Sequence, residues 1–243
     1  MVGVILAAGD GKRLKNSSNT ACCKPVTQIN HKTLIAYSLD QLIALDIDEA
    51  YIVVGKEGHL IKEVLGDSYN GITLCYVNQS EQKGLIHAFV QALNAIPAEK
   101  SVVLQLADEI FIDFHTDRIK STLKAAEYDF YCGITFEDDF EKIRTNYSVA
   151  VTEGFAITQC TEKPQIKINN IKGTGFCVFT DRTVQMLKNK YDKDKNSPCD
   201  LCDYVNRLIA EQYKGLALCI AQKEFNINTC SDLEEAARHL QQE

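Results

Sequence analysis

A chain of 243 residues that is 45% hydrophobic can bury a large core, and it reads as one α/β domain spanning 1–243. Its net charge of −7 argues against a general nucleic-acid or membrane-surface binder, so any anionic ligand must be held by local cations. The lack of an N-terminal signal pattern or an apolar stretch of membrane-spanning length predicts a soluble, cytoplasmic protein with no membrane partner.

The apolar run Val2–Leu6 predicts a strand buried on both faces, and Ala7, Ala8, Gly9 and Gly11 then let the main chain approach a ligand closely. Lys12 and Arg13 follow at once, so the turn is either a phosphate cradle with fixed positive charge or a closely packed strand-to-helix turn. It is neither a dinucleotide fingerprint, since Leu14 stands where the third glycine belongs, nor a P-loop. Lys24-Pro25 comes next, with Pro25 stiffening the chain so that Lys24 can aim back toward the turn. Ile35, Leu39, Leu42 and Ile43 repeat at helical spacing, Ala50–Val54 and Ile72–Val77 read as strands, and Leu85, Phe89 and Leu93 mark another helix. Val102–Leu106 is a further strand. Asp108 and Glu109 leave its carboxyl end, where ligands of parallel sheets bind, so Asp108 either holds Mg²⁺ against phosphate oxygens or caps a turn.

The alternation of strands and helices predicts a mostly parallel sheet flanked by helices over 1–112, with a mixed-sheet extension over 113–243. In that second half Tyr147–Val151, Ala156–Thr161 and Gly175–Phe179 are expected strands, and Asp200–Tyr213 and Asp232–Gln241 expected helices. The charged stretch Lys188–Asn196 reads as a surface loop. Of ten cysteines, Cys75, Cys177 and Cys219 sit in apolar runs as small core residues. A zinc site built from Cys22, Cys23, Cys199 and Cys202 is disfavoured, because adjacent cysteines make a poor tetrahedral half-site.

Taken in order, Leu6-Ala-Ala-Gly-Asp-Gly-Lys-Arg13, Lys24-Pro25, Gln79 with Gly84-Leu85-Ile86-His87-Ala88, Asp108, Glu162-Lys163-Pro164 and Asn226-Ile-Asn-Thr-Cys-Ser-Asp-Leu233 form a series. It resembles the sugar-phosphate nucleotidyltransferases over nearly the whole chain. The resemblance implies a Rossmann-like nucleotide-binding half (1–112), a GT-A-like arrangement overall and an acceptor-binding half (113–243). It also implies a Mg²⁺-dependent enzyme that transfers a nucleoside monophosphate to a sugar 1-phosphate and releases pyrophosphate. Its partners would be a nucleoside triphosphate and a phosphorylated small molecule, with a homo-oligomer possible.

By the same resemblance Leu6, Ala7, Ala8, Gly9 and Gly11 wrap the nucleotide, and Arg13 and Lys24 neutralise its phosphates. Gln79 and Gly84 match the spacing that reads a pyrimidine base, and His87 belongs either to that segment or to an unreactive helix face. Asp108 and Asn226 fall at the metal positions. Tyr147, Glu162 and Gly175 fall in the acceptor site, where Lys163 grips the acceptor phosphate. The chain departs from the family pattern at Asn226, in place of a second Asp, and at Ser148, Glu109 and Cys23. Two other readings follow from these departures. One is a cytidylyltransferase for a small phosphorylated alcohol or amino compound, and the other a catalytically weak regulatory subunit that binds nucleotide sugars.

Overall fold

The structure is a computed structural model that describes residues 1–9, 11, 14, 23–97, 99–191 and 200–241. The expected first strand is β1 (Val2–Ala7), and it lies inside the sheet. On one side it runs parallel to β2 (Glu49–Val54), which in turn pairs in parallel with β3 (Ile72–Asn78). On the other it runs parallel to β4 (Val102–Leu106). Because side chains alternate across a strand, Val2 and Val4 enter one core with Phe89 and Leu104, while Ile5 and Ala7 enter a second with Leu39, Leu42 and Val103. Burial on both faces of β1 explains why Val2–Leu6 reads as a continuous apolar run.

Three crossover helices cover the two faces: α1 (Leu34–Ala44), α2 (Gly58–Leu65) and α3 (Leu85–Ala95). In α3 the buried residues Ile86, Phe89, Val90 and Leu93 follow the helical repeat, and Phe89 packs on Phe179 with ring centroids 5.6 Å apart. Among the described residues, no helix is long and apolar enough to cross a membrane.

Beyond β4 the chain turns into β5 (Glu109–Ile112) and α4 (Thr116–Ala125), then enters β6 (Phe130–Phe136). β6 is not among the expected strands. Cys132 and Gly133 dilute its apolar run, yet the strand is almost wholly buried. After α5 (Phe140–Arg144) come β7 (Tyr147–Val151), β8 (Ile157–Glu162) and β9 (Ile171–Phe179). β8 begins and ends one residue later than expected, which brings Glu162 into the strand opposite Tyr147. β9 starts four residues before the expected Gly175 because it serves several neighbours: it is antiparallel to β4 and β6 and, at Lys172, to β7.

The chain closes with α6 (Asp181–Lys190), α7 (Leu201–Ala210), β10 (Gly215–Cys219), β11 (Lys223–Asn226) and α8 (Cys230–Leu240). The expected loop at Lys188–Asn196 is corrected at its start, since Lys188 to Lys190 complete α6. The segment 192–199 lies outside the described residues. β10 joins the sheet parallel to β6, and β11 forms a separate antiparallel ribbon with β5 that sets Asn226 opposite Glu109. That ribbon is tied to β9 by the ion pair of Lys172 and Glu224, both buried. An unpartnered charge at either place would be costly, so the pair fixes how the ribbon sits against the sheet.

Candidate functional site

The carboxyl ends of β1 and β4, the segment after β3 and the start of α3 surround one cleft of about 320 Å³. Leu6, Ala7, Ala8, Gly9, Lys24, Gln79, Gly84 and Asp108 all line it, so most of the nucleotide-binding residues expected from sequence meet at one place. Gly11 packs beside Lys24 instead, 3.1 Å from the Lys24 Cβ at the position a Cβ would take. Arg13 lies outside the described residues.

Lys24 begins a 3₁₀ turn, Lys24–Val26, anchored by buried Pro25. Its ammonium is 2.5 Å from Asp108 Oδ2 and donates to Asn228 Oδ1 at 3.2 Å. Asn228 in turn donates to Asn226 Oδ1 at 2.8 Å, and the Ile227 N–H donates to the Asp108 carbonyl at 2.9 Å. The four polar side chains Lys24, Asp108, Asn226 and Asn228 therefore form one connected group at the charged end of the cleft. Asn228 did not emerge from the sequence reading. The signal lies just downstream: Thr229 and Asp232 make a reciprocal capping box at the start of α8, and the Asp232 carboxylate also accepts the Asn228 N–H at 2.8 Å. The cap thus orients the chain that presents Asn226 and Asn228.

The other end of the cleft is built from amides and apolar surface. Gln79 is buried at 6% exposure, its backbone N–H donating to the Val54 carbonyl at 2.8 Å. Gln82, also not anticipated, donates to the Ala8 carbonyl at 2.9 Å and holds the segment after β3 down on the first turn. Leu85, Ala88 and Leu106 supply apolar walls. Gly84 caps α3 at φ 101°, a left-handed conformation that a residue with a Cβ rarely adopts. His87 is no idle helix residue, since its Nδ1 lies 3.0 Å from Gln79 Nε2.

The expected acceptor residues are split between core and surface. Tyr147 is 3% exposed, its ring lies over Gly173, and its hydroxyl donates to the Thr174 carbonyl at 2.7 Å. Its polar atom is spent internally, so it supports the wall. Gly175 donates its N–H to both carboxylate oxygens of Glu109, at 2.9 and 2.7 Å. Desolvation first, and then the neighbouring Glu224 and Asp108 carboxylates, hold the fully buried Glu109 well above the usual carboxylate range. Glu162 and Lys163 are accessible, paired at 3.3 Å, and close the end of β8 where Lys163 takes φ 43°. The Lys163 N–H donates to the Asn146 carbonyl at 2.8 Å, which pins this turn. The Cys202 thiol donates to Glu162 Oε2 at 3.8 Å.

No group of three or more His, Cys, Asp or Glu residues among those described could hold a metal by itself. Cys23 and Cys202 belong to different cores, so they cannot share a zinc ion; Cys22 and Cys199 lie outside the described residues. At the charged end, one carboxylate (Asp108) and the Asn226 amide oxygen are a donor set that suits Mg²⁺, which commonly takes one or two carboxylates and completes its shell with phosphate and water.

A model of the family described as nucleotidyl transferase matches residues 2–243. The chain is 28% identical to the UTP–glucose-1-phosphate uridylyltransferase AglF of Haloferax volcanii, covering 100% of this chain and 98% of that protein. It is 27% identical to a glucose-1-phosphate thymidylyltransferase of Neisseria meningitidis, over 99% of this chain and 83% of that one. Among solved structures, a UDP-glucose pyrophosphorylase complexed with UDP-glucose superposes with a TM-score of 0.82 at 20% identity, covering 100% and 99% of the two chains. The inositol-1-phosphate CTP transferase of T. maritima does so at 0.77 and 19%, covering 98% and 94%. At these identities the two structures establish the fold.

Proposed function

We propose that this chain, which belongs to the nucleotidyl transferase family, transfers the nucleoside monophosphate of a pyrimidine triphosphate to a sugar 1-phosphate and releases pyrophosphate. The observation that carries the reading is a cleft that has both an amide end, at Gln79 and Gly84, and a charged end, at Lys24 and Asp108. A base suits the first, and a polyphosphate the second. The relatives named for uridylyl and thymidylyl transfer to glucose 1-phosphate supply the substrate class.

In this reading the triphosphate lies along the first turn, with Arg13 and Lys24 neutralising its oxygens. The acceptor phosphate is held by Lys163 beside Glu162. An oxygen of the acceptor phosphate attacks the α-phosphorus, the bond to the α,β-bridging oxygen breaks, and pyrophosphate leaves in line. Such a reaction asks for alignment and charge neutralisation more than for a covalent nucleophile. The Lys24–Asp108 pair is poised for it: phosphate oxygens compete for the ammonium, and the freed Asp108 carboxylate then faces the metal position. Mg²⁺, held by Asp108, Asn226 and the phosphates, would supply charge to the developing pyrophosphate.

The test is pyrophosphate release with each common triphosphate against a panel of phosphorylated acceptors. Release with a pyrimidine triphosphate and a sugar 1-phosphate is expected, and no release with any pair would end the enzymatic reading. The metal assignment makes a separate prediction. Asn226→Asp adds a carboxylate, so the Mg²⁺ concentration for half-maximal rate should fall by about 5-fold, given that ligand charge tunes affinity. An unchanged Mg²⁺ titration would put Asn226 outside the metal shell.

A further inference from the structure

The amide end of the cleft has a fixed hydrogen-bonding sense. Gln79 Nε2 lies 3.4 Å from the Gly84 carbonyl oxygen and 3.0 Å from His87 Nδ1. A carbonyl can only accept, so the nitrogen of the Gln79 amide, and not its oxygen, must face Gly84. Its second hydrogen then goes to His87 Nδ1, which is the bare nitrogen of the ring, and the ring proton sits on Nε2. That atom is 3.3 Å from Gln91 Nε2; two N–H groups cannot face each other, so this tautomer assigns the Gln91 amide the opposite sense, with its oxygen accepting the ring proton. Both hydrogens of the Gln79 amide are thus committed. Its Oε1 has no partner among the described residues and is left to the cleft that Gln79 lines. The Gly84 N–H, also without a partner among them, stands as a donor at the same end.

An acceptor beside a donor fits the N3–H and C4 carbonyl of uracil or thymine. In the same pose cytosine would set its N3 lone pair against Oε1 and its amino hydrogens against the Gly84 N–H. Gly84 alone is a weak lock, because its carbonyl is 3.4 Å away and already accepts the Ala88 N–H at 3.2 Å. We infer that His87 is a specificity-determining positioning residue. By holding the Gln79 amide in one sense, it makes the cleft select uridine or thymidine triphosphate over cytidine triphosphate. The inference rests on the triphosphate occupying this cleft with its base at Gln79, as proposed above.

Equilibrium binding of UTP, dTTP, CTP and GTP to the full chain with Mg²⁺ tests it. UTP or dTTP should bind about 30-fold more tightly than CTP, within the range that a bidentate base contact supplies. His87→Leu removes the acceptor and lets the amide rotate, so the ratio should shrink to about 3-fold, chiefly through tighter CTP binding. A purely structural role for His87 would weaken all triphosphates together and leave the ratio unchanged, which would overturn the inference. If His87→Leu does not fold, Gln91→Ala, which removes the partner of His87 Nε2, should lower the same ratio, and an unaltered ratio there counts equally against it. CTP or GTP binding best to the unaltered protein would refute the inference while leaving a nucleotide in the cleft. No triphosphate binding at all would instead remove the proposed function beneath it.

Discussion

Lys24→Ala is expected to lower kcat/KM for the triphosphate by about 10³-fold, roughly 4 kcal/mol of transition-state stabilisation, the scale of losing one preorganised charge at a developing anion. The size follows from where the ammonium sits. Lys24 is held between Asp108 Oδ2 and Asn228 Oδ1 at the mouth of the first turn, with only 12% of its side chain exposed. There its charge is far less screened than that of a surface lysine. Removing it deprives the phosphates of a cation and also takes from Asp108 the ammonium that partners it before nucleotide and metal bind. Lys24→Arg should recover only a small part of the activity, because a planar fork does not replace a compact ammonium between one carboxylate and one amide oxygen. Steady-state kinetics with a thermal melt on the same samples checks this. A loss below about 10-fold in a folded variant would place Lys24 away from the reacting phosphates.

Lys163→Ala should abolish detectable turnover while changing triphosphate affinity by no more than about 2-fold, since its proposed role belongs to the second substrate. The side chain is 67% exposed and its one ion pair among the described residues is with the neighbouring Glu162, so removal should cost little stability. The backbone supports this separation of roles. Lys163 takes φ 43°, yet its N–H is tied to Asn146, so the turn presents the ammonium without relying on the ammonium for its own shape. Binding measured by calorimetry beside pyrophosphate release distinguishes the cases. Equal loss of both would mean that Lys163 serves the triphosphate and not the acceptor.

The nucleotide end was the more legible part of this chain, for a physical reason. Val2–Leu6 and Val102–Leu106 are buried on both faces, so the sequence there is apolar but for Gln105, and the small residues and charges that follow must lie at the strand ends. The acceptor half was harder because its elements share residues. The resemblance puts Tyr147 in the acceptor site, yet its ring lies over Gly173 and its hydroxyl is spent on Thr174, contacts that exist only once β7 and β9 are side by side. β6 escaped notice because Cys132 and Gly133 break its pattern, although neighbours on both sides bury it. Asn228 is an ordinary loop residue until the Thr229–Asp232 cap orients it toward Lys24. His87 was visible but ambiguous, and only its distance to Gln79 separates a specificity residue from a helix surface.

In the proposed reaction a phosphate oxygen of the acceptor attacks the α-phosphorus in the cleft between Lys24 and Gln79. Phosphorus-31 NMR of the enzyme with UTP, glucose 1-phosphate and Mg²⁺ follows that bond directly. Two coupled diphosphate resonances of a nucleoside diphosphate sugar are expected to appear in step with pyrophosphate, one equivalent of each per triphosphate consumed. Release of nucleoside monophosphate with unchanged sugar phosphate, or no loss of triphosphate with any sugar 1-phosphate or any pyrimidine, would contradict it.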